Sequence, residues 1–365
     1  LANMKFKGTE SKFAGWPTGG KKKDPVVFQK ACRDADNGKW KDYPAILLFR
    51  SYKSKIRMVW MYPYSTTLKE LSFVNPLMRH IQSLNKFEFQ PWKGFEYVKQ
   101  SLNQVFDDGM VYGGDSTKMD NHFGLPCSLE VFDVIKHAFH PKDWDLLKKL
   151  ILHMHEIPIA TPAGKITGLH GVSSGSGFTS LFETIHDYLL YLTAQLLNSS
   201  VDKGMFIGDD YINRMRRIKK WAKFWTDLYG STGLPGNIEK QSDSPDSFTF
   251  CQRIAIKEYQ PFKDHLAMIY SAISAARSWT YPENYIDPED YDSDMYCCKL
   301  AMITENLVDH PQFAELAKFA ARSQKDVISF AKQSARKLDS IYERARRVTG
   351  IGESYNQEKL EKPLS

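Results

Sequence analysis

The segment MFIGDDYI, residues 205 to 212, places two adjacent acidic residues, Asp209 and Asp210, between apolar strand-forming residues. Burying a carboxylate is costly unless the group is paired, hydrogen-bonded or bound to a metal. Gly208 can supply the positive φ that a tight β-hairpin turn needs. The pattern therefore predicts a hairpin whose tip presents two carboxylates, which a divalent cation would neutralise. For this tripeptide taken alone, an ordinary exposed turn is the alternative.

A second acidic pair, Asp115 and Asp120, lies in the segment GGDSTKMDNHFG. Residues 109 to 115 (GMVYGGD) predict a short strand that ends at Asp115. A strand-end carboxylate beside the hairpin carboxylates could bridge two metal ions about 3.5–4 Å apart, the arrangement used for phosphoryl or nucleotidyl transfer. Oxygen ligands of this kind suit magnesium or manganese. Asp120, five residues further on, is expected to face a sugar.

Between the two acidic pairs lies SSGSGFTSLFE, residues 173 to 183, which predicts a glycine-rich loop that opens a long helix. Such a loop is expected to offer free backbone N–H groups to a template or a phosphate. Thr179 and Glu183 are four residues apart and therefore share one helix face. The alternative is an N-capped core helix preceded by a flexible loop.

Positive charge is concentrated near the N-terminus of this 365-residue chain of net charge +6. Residues 1 to 57 hold fourteen Lys and Arg against five Asp and Glu, which indicates either a polyanion contact or a solvated arm. Residues 44 to 64 predict two strands around a basic turn. A spacing of two would place Lys53, Lys55 and Arg57 on one strand face, as an anion site or as a solvated edge strand.

Several classes of protein are disfavoured. The chain has no run of eighteen apolar residues, so no membrane span and no membrane partner are expected. Its first residues lack the apolar core of a signal peptide, and since it starts at Leu1 we expect a trimmed end. The five cysteines lack zinc spacing, which favours a reducing compartment.

The remaining patterns predict a hairpin over 158 to 170 with Ala163-Gly164 at its turn, and a strand pair over 248 to 259. Helices are predicted over 126 to 139, 142 to 155 and 214 to 229, and from 263 onwards, with 311 to 347 the most regular. The tail from about Gly350 is polar.

Taken in order, these motifs resemble the palm of a viral RNA-dependent RNA polymerase. Asp115–Asp120 corresponds to Asp-x4-Asp, Ser174, Gly175 and Thr179 to Ser-Gly-x3-Thr, and Gly208–Asp210 to Gly-Asp-Asp. The segments SGSGFTSLFETI and VWMYPY are most similar to those in polymerases of double-stranded RNA viruses of the picobirnavirus and partitivirus kind.

The resemblance implies an α+β fold shaped as a right hand of fingers, palm and thumb, with a ferredoxin-like palm of antiparallel sheet and helices and a helical thumb. It implies fingers over 1–106 and 140–172, palm over 107–139 and 173–258, and thumb with C-terminal tail over 259–365.

The resemblance also implies roles for individual residues. The catalytic residues would be Asp115, Asp209, Asp210 and Lys240, the three aspartates holding Mg²⁺ or Mn²⁺ and the lysine protonating pyrophosphate. The nucleotide-binding residues would be Lys53, Lys55, Arg57, Asp120, Ser174, Gly175, Thr179 and Glu183. The primer grip would be Cys251, Gln252 and Arg253.

One position departs from the family pattern. Many relatives carry Asn where Glu183 stands, and that Asn works with the second Asp to read the ribose 2′-hydroxyl. Two carboxylates in contact cannot both ionise cheaply, so we expect one of Asp120 and Glu183 to be protonated, or Lys118 or a donor from Ser174 to separate them.

The function implied is template-directed RNA synthesis from nucleoside triphosphates, for viral genome replication and transcription. The partners implied are RNA template and product, nucleoside triphosphates and viral capsid protein, in the virion interior and host cytoplasm. A reverse transcriptase is one alternative, although Ile207 before Gly208 departs from its usual Tyr-x-Asp-Asp turn and Asp120 is not bulky. A non-catalytic, capsid-associated RNA-binding protein is the other.

Overall fold

A computed structural model describes residues 12–52, 55–103, 110–115, 119–198, 200–215, 221–236, 244, 246–280, 289 and 291–349; at 50–52, 55, 110–112, 115 and 346–349 it describes the backbone alone. The strands are β1 Ala45–Tyr52, β2 Lys55–Met61, β3 Met110–Asp115, β4 Ile159–Thr161, β5 Gly164–Ile166, β6 Val201–Ile207, β7 Asp210–Met215, β8 Ser247–Phe250, β9 Arg253–Ile256 and β10 Ile269–Tyr270. The predicted mixture of helices and antiparallel strands is confirmed.

The α-helices of the described residues surround three sheets. They are α1 Pro25–Asp36, α2 Tyr64–Ser83, α3 Phe95–Asn103, α4 Met119–His122, α5 Leu125–Ile135, α6 Trp144–Glu156, α7 Thr179–Leu197, α8 Trp221–Ser231, α9 Ala272–Thr280, α10 Ser293–Glu305, α11 Phe313–Arg322, α12 Val327–Ala331 and α13 Ala335–Thr349. Short 3₁₀ segments span Lys39–Lys41, Phe87–Trp92, Lys136–Ala138 and Pro141–Asp143.

The sheet that carries the acidic motifs is antiparallel, with the order β3-β7-β6. Its middle strand, β7, is buried at every residue from 211 to 215, because neighbouring elements cover both of its faces. On one side Tyr191 of α7 packs on Phe206 of β6, with ring centroids 5.4 Å apart. The sheet and α7 thus form two layers with the acidic residues at their shared edge.

A four-stranded sheet has the order β2-β1-β4-β5, and both of its hairpins were predicted from sequence. Strand β1 pairs in parallel with β4, Ala45 opposite Ile159, so two segments far apart in the chain meet in one sheet. The second turn comprises Pro162 and Ala163, one residue earlier than predicted. The predicted strand pair over 248 to 259 is confirmed as β8 and β9, and β10 pairs with β9 in a region predicted to be helical.

Two helix predictions need correction, while those over 126–139 and 142–155 are confirmed as α5 and α6. The predicted helix over 214 to 229 begins too early, since Arg214 belongs to β7. Its buried guanidinium is neutralised by Asp202, through Nε at 2.9 Å and Nη2 at 2.5 Å, so a basic residue can occupy a central strand.

The regular pattern over 311 to 347 is divided into α11, α12 and α13. At the first break Ser323 donates its hydroxyl to the Ala320 carbonyl, and the Asp326 N–H donates to the Gln324 side chain. Side chains that bond to nearby backbone in this way compete with helix continuation. The tail from Gly350 lies outside the described residues.

Among the described residues, the largest apolar core lies between α2, α5, α6, α7, α8 and the strands β6 and β7. Trp225 of α8 is fully buried, with ring centroids 5.1 Å from Trp221 and 5.4 Å from Tyr211 of β7. Each large apolar side chain buried in this way contributes about 1.5–3 kcal/mol. This packing holds α7 and β7 in place behind the acidic residues. In the described parts of the chain, no helix combines the length and apolar character needed to span a membrane.

Candidate active site at the β6–β7 turn

The predicted hairpin around Gly208 is confirmed. Strand β6 ends at Ile207, β7 begins at Asp210, and these two residues pair across a two-residue turn. Gly208 has φ +56°, a left-handed conformation that costs glycine little. Asp209 is exposed at the tip, whereas Asp210 is half-buried and belongs to the strand.

Strand β3 brings the third acidic residue to the same edge of the sheet. It runs antiparallel to β7, and Asp115 lies directly opposite Asp210 in the register. Directly opposed residues of antiparallel strands have Cα atoms about 4.5–5.5 Å apart. The fold therefore gathers the backbone positions of Asp115, Asp209 and Asp210 at one sheet edge.

Helix α7 supports the turn from behind. The Gly208 N–H donates to Thr184 Oγ1 at 2.8 Å, and Thr184 is fully buried. A Cβ placed on Gly208 would lie 3.7 Å from Glu183 Oε2 and 3.9 Å from Ser180 Oγ, so the first two turns of α7 face the hairpin tip. Sequence reasoning missed Thr184 and Ser180, although both lie within five residues of Thr179 on the same helix.

Replacing Thr184 by valine tests this support. Valine keeps the shape but leaves the buried Gly208 N–H without its acceptor, which costs about 1–3 kcal/mol. We expect nucleotide incorporation to fall by about tenfold or more as the turn loses its alignment. Serine at the same position keeps the hydroxyl and is expected to retain most of the activity. Equal rates for the valine and serine variants would show that the hydroxyl is dispensable.

Asp120 and Glu183 interact directly in the structure. Burial raises the pKa of Glu183 to about 10, and the charges of Asp120 and then Asp209 act in the same direction. Glu183 is therefore the protonated member of the pair at neutral pH, and its proton can be donated to Asp120. Of the two expected mediators, Lys118 lies outside the described residues, and a donor from Ser174 stays a prediction.

This protonation state leads to a prediction for two Glu183 variants. Glutamine mimics a neutral glutamic acid, so we expect Glu183→Gln to stay within about threefold of wild-type activity at neutral pH. Asparagine is shorter, and Glu183→Asn is expected to change the ratio of ribo- to deoxynucleotide incorporation by about tenfold, the value of one hydrogen bond to the sugar. Competition between NTP and dNTP measures the ratio, and an unchanged ratio in Glu183→Asn would count against sugar reading.

Asp187, one helical turn beyond Glu183, is a buried acid that sequence reasoning also missed. Its Oδ1 accepts a 2.6 Å hydrogen bond from the Tyr229 hydroxyl. Burial is the main cause that raises its pKa well above the usual range, with Asp209 and Asp210 adding to the effect. Its spacing of four from Glu183 was the available sequence signal.

The donor set at this edge fits a divalent cation. Asp209 raises the pKa of Glu183, and Asp209 and Asp210 both raise that of Asp187, so negative charge accumulates there. Carboxylate oxygens are the ligands that Mg²⁺ and Mn²⁺ prefer. Among the side chains that the structure describes, which exclude that of Asp115, no group of three or more acidic, His or Cys residues could hold a metal ion.

The expectation of free N–H groups in the glycine-rich loop is wrong for residues 175 to 178. Three of these groups donate within the loop, Gly175 to Ser173 Oγ, Ser176 to the Ser173 carbonyl and Phe178 to Ser176 Oγ. The fourth, that of Gly177, donates to the carboxyl group of Glu70 on α2 at 2.6 Å. All four N–H groups therefore have protein acceptors, three within the loop and one on α2.

The predicted nucleotide-binding residues of this loop have different environments. Ser174 is exposed, whereas Thr179 is buried and donates its hydroxyl to the Ser173 carbonyl, which closes the loop. Gly175 lies so close to β2 that a Cβ there would be 2.1 Å from the Trp60 carbonyl oxygen. Nucleotide contact by these residues stays a prediction.

The predicted basic strand face is described only in part. Strand β2 begins at Lys55, with Arg57 exposed two residues further on and opposite Arg50 in the register. Lys53, between β1 and β2, lies outside the described residues, and so does Lys240.

The predicted primer-grip hairpin faces the acidic residues. Its turn residues Cys251 and Gln252 have φ +49° and +62°, an unusual conformation for residues other than glycine. Burial raises the pKa of the Cys251 thiol, and the charge of Asp210 adds to this rise. Gln252 is exposed, but Arg253 is only 7% exposed, stacks over Phe95 at 4.2 Å and donates to Asn306 at 2.7 Å. Primer contact by this turn stays a prediction, and Arg253 has a structural role as well.

Comparison with known proteins identifies the family of this chain. Residues 52–270 match the family described as viral RNA-dependent RNA polymerase, and this is more than half of the chain. The chain therefore belongs to the viral RNA-dependent RNA polymerase family.

Within that family the chain is similar to proteins of the picobirnavirus type, as predicted. It is 27% identical over 318 residues to the potential RNA-dependent RNA polymerase of human picobirnavirus (strain Human/Thailand/Hy005102/-), a match over 83% of this chain and 58% of that relative's length. The crystal structure of a human picobirnavirus RNA-dependent RNA polymerase has the same fold, with TM-score 0.78, 22% identity and coverage of 95% of this chain and 71% of that one. The crystal structure of an insertion-loop deletion mutant of a human picobirnavirus RNA-dependent RNA polymerase is similar as well. Its TM-score is 0.79 at 24% identity, with coverage of 93% of this chain and 70% of that one.

Proposed function

We propose that this chain catalyses RNA-dependent RNA synthesis, transferring nucleotides from nucleoside triphosphates to an RNA 3′-hydroxyl for viral genome replication and transcription. The observation that carries the proposal is the register that sets Asp115 opposite Asp210, beside the exposed Asp209. Three carboxylates from β3, β7 and the turn before β7 could together hold the two cations of nucleotidyl transfer.

In this mechanism Asp115, Asp209 and Asp210 would hold Mg²⁺ or Mn²⁺. When bound, two such ions would make the primer 3′-hydroxyl a better nucleophile and neutralise charge on the leaving oxygen. The hydroxyl attacks the α-phosphate and pyrophosphate leaves. Lys240 is the candidate donor of a proton to pyrophosphate.

The other predicted residues bind and orient the substrates. Lys53, Lys55 and Arg57 neutralise the triphosphate, which is consistent with the exposure of Arg57. Asp120 and Glu183 read the ribose. The two acids can lie together because a protonated Glu183 leaves one negative charge on the pair instead of two. Ser174, Gly175 and Thr179 shape the nucleotide and template surface, and the Cys251–Arg253 turn holds the primer end.

The proposal extends to the architecture and its surroundings. Fingers comprise 1–106 and 140–172, palm 107–139 and 173–258, and thumb with the tail 259–365. The parallel pairing of β1 with β4 supports the joining of the two finger segments. RNA template and product are the partners, together with viral capsid protein, and the site of action is the virion interior and the host cytoplasm.

A primer-free incorporation assay with purified protein tests the function. We expect incorporation of NTPs on single-stranded and double-stranded RNA templates that stops when a chelator removes divalent cations and resumes when Mg²⁺ is restored. A preference for dNTPs on the same RNA would identify a reverse transcriptase instead. Binding of RNA without any incorporation, even when a primer annealed to the template is supplied, would identify a non-catalytic RNA-binding protein.

A further inference from the structure

The carboxyl group of Glu70 on α2 is completely buried, yet none of the described side chains forms an ion pair with it. Its two hydrogen bonds both come from the loop before α7. Gly177 N–H donates to Oε2 at 2.6 Å, and Ser176 Oγ donates to Oε1 at 3.0 Å. Burying a carboxyl group costs free energy. A buried carboxyl group whose only hydrogen bonds come from one loop therefore needs an explanation beyond packing.

Helix α7 lacks a side-chain cap of its own, because Phe178 at its N-cap position makes no such hydrogen bond. Glu70 supplies an acceptor at this end from a different helix, one residue before the cap. The loop is therefore attached to α2 at the point where α7 begins.

The same loop contacts the neighbouring segment a second time. Gly175 packs directly on the carbonyl of Trp60 in β2, only a few residues before α2 starts. The two contacts hold the loop from both sides. Helix α7 then runs from this loop to Thr184, which accepts the Gly208 N–H at the turn of the catalytic aspartates.

We propose that Glu70 is a positioning residue for nucleotide transfer, which fixes the loop 173–178 and the first turn of α7 relative to the β6–β7 turn. This role rests on the proposed polymerase function. Glu70 lies outside every motif in the sequence pattern, and its two hydrogen bonds come from Gly177 and Ser176, so it acts through these residues.

The chemistry of the group indicates which variants separate positioning from packing. Burial raises the pKa of Glu70 to about 8, against the opposing effect of its hydrogen bonds from Gly177 and Ser176, so the neutral acid predominates at neutral pH. Glutamine can reproduce that state, with its oxygen accepting from Gly177 and its amide facing Ser176 Oγ. Leucine has a similar volume but accepts no hydrogen bond.

The experiment compares Glu70→Leu and Glu70→Gln with wild type in four measurements, of which thermal unfolding is the stability control. Hydrogen exchange at the Gly177 amide is expected to be about tenfold faster in Glu70→Leu and unchanged in Glu70→Gln, since only leucine removes the acceptor. The kcat of incorporation is expected to fall about tenfold in Glu70→Leu and to stay within about twofold in Glu70→Gln. RNA affinity is expected to be the same in all three proteins.

Each outcome bears on a distinct statement. Equal exchange and equal kcat in the two variants would overturn the positioning role, and so would a loss of activity that parallels a loss of thermal stability in both. Wild-type protein that incorporates no nucleotide while exchange at Gly177 still separates the variants would refute the proposed function and leave the attachment of the loop demonstrated.

Discussion

Asp209→Asn is expected to abolish RNA synthesis while leaving folding and RNA binding unchanged. Asp209 is exposed at the tip of the β6–β7 hairpin, so its replacement should alter stability by no more than about 0.5 kcal/mol. Asparagine removes the negative charge that would hold a cation. If that costs about 4 kcal/mol of transition-state stabilisation, the incorporation rate falls about a thousandfold.

Asp227→Asn provides the matched control. Asp227 is an exposed aspartate on α8 that pairs with Lys223 at 2.7 Å and has no predicted role in catalysis. Its replacement should leave incorporation unchanged. Single-turnover incorporation, thermal unfolding and RNA binding are measured for both variants. Appreciable synthesis by Asp209→Asn would show that the metal-binding residues have been assigned wrongly.

Among the proposed variants, Lys99→Met is expected to cause the largest fall in the free energy of unfolding. Lys99 on α3 and Asp309, between α10 and α11, form an ion pair at 3.1 Å with side chains only 3% and 4% exposed. Asp309 Oδ2 also accepts the Met268 N–H at 3.0 Å, so the carboxylate cannot easily move to solvent. Removing the lysine leaves a buried charge unpaired, which costs about 3–5 kcal/mol.

The exposed pair of Lys149 and Asp145 on α6 serves as the comparison. Lys149→Met removes this pair and should lower the free energy of unfolding by no more than about 0.5 kcal/mol, because water already solvates both charges. Denaturant unfolding of both variants measures the difference. Adding Asp309→Asn to Lys99→Met should recover part of the stability, since it removes the unpaired charge. Equal losses in the two lysine variants would contradict the buried-pair explanation.

Hairpins were the most predictable part of the fold. Gly208 and the strand formers around it specify a turn through local backbone preferences, and the register then follows from that turn. The helices over 311 to 347 were less predictable. Polar residues such as Ser323 and Asp326 are compatible with a helix, and they interrupt it here because their side chains bond to nearby backbone instead.

Within the candidate site, the order of the acidic residues was readable, but several of their partners were not. Thr184 and Asp187 carry no distinctive motif, and their importance arises from contacts with Gly208 and Tyr229 that are distant in sequence. Glu70 is more than a hundred residues from the loop it holds. Such pairs become visible only when the chain is folded.

By itself the sequence determined the acidic hairpin, the strand that pairs with it and the family to which the chain belongs, because turn preferences and residue order are local properties. Only the tertiary structure decided that Glu183 carries the proton, that Glu70 occupies the N–H of Gly177 and that Arg253 is buried between Phe95 and Asn306. The reason is that desolvation and hydrogen-bond partnership depend on which distant groups surround a side chain.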